Sequence, residues 1–133
     1  MHIKEIEGFS DVRGNLHALS FSSLPFTPKR IFVVSNVPKG ETRGGHAHHN
    51  TEQLLICLEG EILVKLFDGE VTKTYTLNPM QFIHVPSKIW DAQEFKTTGS
   101  VLLVLASTEY NREDYIESIQ DFIDMSKRIG NIG

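Results

Sequence analysis

The sequence predicts an all-β fold, a sandwich or small barrel of antiparallel strands, followed by one C-terminal α-helix. Two observations carry this. Seven short runs rich in β-branched and aromatic residues follow one another between Arg30 and Ser107, most of them bounded by turn residues. From Asn111 onward the apolar period changes from that of a strand to that of a helix. The length of 133 residues and an apolar fraction of 40% suit one domain, residues 1–133, built on a single core.

The elements follow in order. An early strand pair comes before a short loop marked by Pro25 and Pro28. The main strands are "RIFVVSN" (Arg30–Asn36), "EQLLICLEG" (Glu52–Gly60), "EILVKLF" (Glu61–Phe67), "EVTKTYTL" (Glu70–Leu77), "QFIHVP" (Gln81–Pro86), "IWDAQEF" (Ile89–Phe95) and "SVLLVLAS" (Ser100–Ser107). Gly60 permits a tight turn between its flanking strands, and Asp68-Gly69 is a strong hairpin signal. Tyr115, Ile116, Ile119, Phe122, Ile123 and Ile129 then fall at helical spacing. Asn111 is the expected N-cap, with Asp114 three residues later, and Lys127 and Arg128 suit the far end. This helix should pack outside the β unit, with Tyr110 and Tyr115 against it.

The formal net charge of −4 argues against general binding of nucleic acid or of an anionic membrane. An anionic ligand would need a local cluster of arginines. Cys57 is the one cysteine, so no intrachain disulfide is expected, and its apolar run "LLICL" suggests an inert core thiol. No stretch approaches the roughly 20 apolar residues that span a bilayer, and the N-terminus lacks a signal-like apolar core. A cytoplasmic protein is the expectation.

The stretch that points to chemistry is "RGGHAHHN", Arg43 to Asn50, which holds three of the six histidines. Side chains alternate along a strand, so His46 and His48 share a face and His49 takes the other. Glu52 shares their parity if no bulge intervenes. Gly44 and Gly45 let the backbone turn sharply just before the cluster. Such a cluster can hold a metal, move protons, or sit on a solvated face. Its spacing resembles the first cupin motif: Gly40, His46, His48 and Glu52 fall in place, and Gly60 follows after seven residues where six are common. The second motif is poorer, because "PSKIWD" puts Asp91 where a metal-binding cupin usually has a third histidine.

A closer resemblance covers nearly the whole chain. "DVRGNL", "PKGETRGGHAHHNTEQLLICLEG" and "VLASTEYNREDYI" resemble the nucleotide-sugar 3,4-ketoisomerases, cupin enzymes that act on dTDP-4-keto-6-deoxyglucose. The resemblance implies a cupin-type antiparallel β-barrel, or jelly roll. It also implies a homodimer, often with exchanged N-terminal strands, and catalysis without metal or other cofactor. It implies a product that feeds a transaminase making a 3-amino sugar for a surface glycan. Its paired histidines match His46 and His48, and its preceding arginine matches Arg43. Two departures stand out: Phe32 and Val33 replace tyrosines common in the family, and Trp90-Asp91 replaces a frequent Trp-His.

These residues suit that chemistry. Moving a ketone from C4 to C3 needs a base for the C3 hydrogen, and histidine titrates near neutrality. Two histidines on one face can divide the carbon and oxygen transfers. Arg43 is the nearest donor for charge developing on oxygen. Arg13 and Arg30 are candidates for the diphosphate, because arginine forms bidentate pairs with phosphate. Trp90 and Asp91 complete the expected substrate-binding set. The rival readings are a metal-dependent cupin using His46, His48, Glu52 and Asp91, and a non-catalytic sugar-nucleotide-binding cupin.

Overall fold

The computed structural model describes residues 1–132. Two antiparallel sheets face each other in the expected jelly-roll arrangement. The first has the order β1 (Lys4–Glu5), β9 (Gln81–Val85), β6 (Gln53–Glu59), β11 (Val101–Ala106), β4 (Arg30–Val34). The second runs β12 (Tyr115–Ile116), β5 (Thr42–His48), β10 (Trp90–Phe95), β7 (Ile62–Phe67), β8 (Thr72–Leu77). All seven runs expected as strands are strands. Apart from both sheets, β2 (Gly8–Asp11) and β3 (Gly14–His17) form a separate hairpin, exposed along its whole length.

The alternation that predicted the strands also builds the core. In β7, Ile62, Val64 and Leu66 are buried, and the residues between them are less so. Side chains from both sheets meet in one cluster that includes Leu55, Ile83, Phe95, Leu102 and Val104. Burying a side chain such as Leu102 is worth about 1.5–3 kcal/mol. Cys57 lies fully buried in this cluster, and burial pushes its thiol up to about 11, which leaves it inert at neutral pH. Gly60 makes the β6–β7 turn at φ +81°, and a Cβ there would strike the Ser100 hydroxyl at 2.2 Å.

The C-terminal segment corrects one expectation. The helix α1 spans Ile119–Ile132, and Tyr115 and Ile116 are not part of it. Asn111 caps instead a single 3₁₀ turn, Arg112–Asp114, by accepting from the Glu113 amide at 3.0 Å. Tyr115 and Ile116 then pair with His48 and Ala47 as β12. The cause is Asp114. Its carboxylate accepts from the Asn50 amide at 2.8 Å, from the Thr51 amide at 3.2 Å and from the Thr51 hydroxyl, tying the segment to the loop after β5. Ser118 begins α1, its hydroxyl oxygen accepting from the Asp121 amide at 3.2 Å. The helix lies outside the second sheet, where Phe122 packs on Phe67 and Trp90 with ring centroids 5.8 Å apart in each pair. No described helix is long and apolar enough to cross a membrane.

Candidate active site

The two glycines before the histidine cluster form a bulge. Gln93 pairs with Arg43 and Ala92 with Gly44, but Asp91 pairs with His46, so Gly45 has no partner on β10. Gly44 and Gly45 sit at φ +83° and +80°, where a side chain would be strained. On a regular strand Arg43 and His46 would face opposite sides, being an odd number of residues apart. The bulge puts both on the wall of one interior pocket, with Phe32, Gly44, Asp91 and Gln93. The pocket measures about 90 Å³. A Cβ on Gly44 would come within 2.9 Å of the Gln93 amide oxygen and 3.2 Å of the Asp91 carbonyl.

Three potential proton carriers converge here. Ring nitrogens of His46 and His48 and a carboxylate oxygen of Asp91 all lie within 4.8 Å of one another. His48 is 2% exposed, and its Nε2 has no partner among the described residues. Burial lowers its pKa to about 4, with the neighbouring His46 and Arg30 adding to the effect and Asp114 opposing it. Burial also lowers His46, against the pull of Glu117. Both rings are therefore neutral at pH 7. Tyr115 lies against both, its ring centroid 5.0 Å from that of His46 and 4.4 Å from that of His48.

Asp91 is 1% exposed and sits between His46 on β5 and Leu66 on β7. Its Oδ1 accepts from the Gln93 amide at 2.5 Å, and its Oδ2 has no partner among the described residues. Burial raises its carboxyl to about 7, with only the Gln93 bond working the other way. Arg30 reaches the same end of the barrel from β4. Its Nη1 donates to the Tyr115 hydroxyl at 3.5 Å, and its guanidinium lies over the rings of Phe32 and Tyr110 at 5.4 and 5.6 Å.

The structure thus brings together His46, His48, Arg43, Arg30 and Asp91. It does not bring Arg13 or Trp90 to the pocket. Arg13 stands in the exposed β2–β3 turn, paired with Asp11 at 2.7 Å. Trp90 faces away from Asp91, under α1, because neighbouring strand residues point to opposite sides. Glu52 bonds His84 at 2.9 Å, and that pair lies apart from the histidine cluster. A second, larger cleft of about 720 Å³ adjoins His84, between the N-terminal segment and the outer face of the first sheet. His49 is exposed, as its parity predicts. Of the two departures on β4, Phe32 lines the pocket and Val33 faces solvent. Tyr110 and Tyr115, expected against the helix, pack instead beside Arg30 and the two histidines, because β12 carries Tyr115 onto the edge of β5. Gln93 also belongs to the site and was not singled out from the sequence. Of the four donors in the metal reading, His46, His48 and Asp91 come within 4.8 Å of one another, and Glu52 is turned away to His84.

Two facing antiparallel sheets with paired histidines on an inner wall define a cupin. More narrowly, the chain belongs to the FdtA family, described as WxcM-like, C-terminal, whose model matches residues 1–127. A curated relative, the TDP-4-oxo-6-deoxy-alpha-D-glucose-3,4-oxoisomerase of Aneurinibacillus thermoaerophilus, is 35% identical over 84% of this chain and 82% of its own. The sugar 3,4-ketoisomerase QdtA of Thermoanaerobacterium thermosaccharolyticum, solved with TDP, superposes with a TM-score of 0.90 at 32% identity, covering 96% of this chain and 95% of that one. A 3,4-ketoisomerase from Helicobacter canadensis gives 0.89 at 34%, covering 95% and 96%.

Proposed function

We propose that this chain is a sugar-nucleotide 3,4-ketoisomerase acting on a TDP-linked 4-keto-6-deoxyhexose. The observation that carries the reading is the convergence of two imidazoles, one buried and one half-buried, and one buried carboxyl within 4.8 Å, beside Arg30 and Arg43. A neutral imidazole keeps a lone pair for the C3 hydrogen. Removing that hydrogen leaves an enediol or enediolate across C3 and C4. Returning a hydrogen to C4 while C3 becomes the ketone completes the isomerisation. One carbon is oxidised and its neighbour reduced, so the reaction needs no external cofactor. His46 and His48 are the two imidazoles placed to carry the carbon hydrogen. Arg43 and Arg30 supply positive charge for the enediolate and the diphosphate.

The acting form is a homodimer in which the β2–β3 hairpin crosses to the other subunit. Such a crossing is the arrangement that would give Arg13 a place at a sugar-nucleotide site. Its setting would be the cytoplasm, upstream of a transaminase that turns the new 3-ketone into a 3-amino sugar. The test is direct. Purified protein mixed with TDP-4-keto-6-deoxyglucose should yield the 3-keto isomer, followed by proton and carbon NMR. An unchanged substrate spectrum, with TDP still bound in calorimetry, would leave a binding protein and sink the enzyme reading.

A further inference from the structure

We propose that Asp91 is the proton donor and acceptor for the two sugar oxygens, alternating between O4 and O3 while an imidazole serves the carbons. The proposal deepens the ketoisomerase reading and rests on it.

The geometry carries it. A buried carboxylate with a structural role spends both oxygens on protein donors, as Asp114 does with the Asn50 and Thr51 amides and the Thr51 hydroxyl. Asp91 does not. Gln93 occupies Oδ1, and Oδ2 is buried and unpartnered among the described residues, on a side chain that lines the pocket beside His46 and His48. With Oδ1 accepting from an amide, the acid proton belongs on Oδ2. The Gly44–Gly45 bulge keeps this arrangement open, because a side chain on Gly44 would collide with Gln93.

The surroundings keep the carboxyl neutral. From β7 only apolar side chains, Val64 and Leu66, face inward beside it. The titratable and charged groups around it are His46, His48 and Arg43 on β5, Arg30 on β4 and Tyr115 on β12. None forms an ion pair with it among the described residues. An isolated carboxylate in such a place is costly to strip of water, so the group holds a proton near neutral pH. Its raised pKa of about 7 stands above the lowered value of about 4 for His48, which inverts the order the two side chains have in water. An imidazole that weak needs electrophilic help at the ketone, and a neutral carboxylic acid supplies it.

The step balances. The imidazole takes the C3 hydrogen as H⁺, the C–H pair forms the C3–C4 double bond, and the C4 carbonyl π pair takes the Asp91 proton. The Asp91 carboxylate then removes the O3 proton. The O–H pair becomes the C3 carbonyl, and C4 takes the proton back from the imidazolium. Both side chains return to their starting states.

Asp91→Asn keeps the size and an N–H donor but cannot transfer a proton. We expect its kcat to fall about 10²–10⁴-fold with TDP affinity, measured by calorimetry, within about twofold of wild type. Wild-type kcat should fall tenfold per pH unit above about pH 7, and the residual rate of the variant should be flat there. A variant within threefold of wild type overturns the proposal, and so does a variant that keeps the basic limb. Carbon NMR of protein labelled at the aspartate carboxyl needs neither turnover nor a variant that folds. A protonated Asp91 signal at about pH 6 is expected, and an ionised one overturns the proposal. A wild-type protein that shows that signal yet does not isomerise the sugar locates the failure in the ketoisomerase reading and takes the catalytic role of Asp91 with it.

Discussion

His46 and His48 share one face of β5 and one ring neighbour, Tyr115, yet they differ in depth: His48 is 2% exposed and His46 is half-buried. If they carry protons only in the transition state, replacing either should spare binding. Whichever of His46→Asn and His48→Asn removes the imidazole that carries the carbon hydrogen should lower kcat about 10²–10⁴-fold, roughly 3–5 kcal/mol of barrier, with TDP affinity nearly intact. His49→Asn, on the exposed side of the same cluster, should do little. Turnover and TDP calorimetry on the three variants decide it. Near-normal rates for both His46→Asn and His48→Asn would make the cluster structural. The face these histidines take was legible because strand parity is a local rule. The company they keep was not. Arg43 shares a pocket with His46 only through a bulge whose position depends on how β5 pairs with β10, and pairing is a long-range fact.

The strands themselves were legible as runs of alternating or β-branched residues, and all seven formed. The two-residue strand β12 was not, because Tyr115 and Ile116 fit a helical repeat with Ile119 just as well, and two residues carry no strand period. Only the Asp114 clamp and the open edge of β5 decide between them. The β2–β3 hairpin raises a different question. Phe9 pairs across it with Leu16, and the two are 66% and 65% exposed. An isolated two-stranded hairpin is marginal in water, and an apolar one invites a partner. Ile31 and Val33 on the edge strand β4 are also exposed. A second copy of the chain is the expected cover. Sedimentation at micromolar concentration should give twice the monomer mass, and Phe9→Ser with Leu16→Ser should shift it to monomer. A wild-type monomer in that experiment would end the dimer proposal.

For the molecule as a whole, the paired site makes opposing contributions to stability. Asp91 is raised, so its contribution is complete below about pH 4 and is lost as pH rises to about 7. His48 is lowered, so its contribution is complete above about pH 6.5 and is lost as pH falls to about 4. The two slopes nearly cancel across the same window. Asp91→Asn should therefore unmask a stability that climbs by roughly 3 kcal/mol from about pH 4 to 6.5, read by urea unfolding at a series of pH values. Parallel profiles for wild type and variant would refute this. Within that window the unfolded chain carries an imidazolium and a carboxylate, and the folded chain carries an imidazole and a carboxylic acid. Collapse of the barrel thus annihilates a pair of opposite charges by an internal hand-over, with no net hydrogen ion taken from or given to the buffer at these two positions.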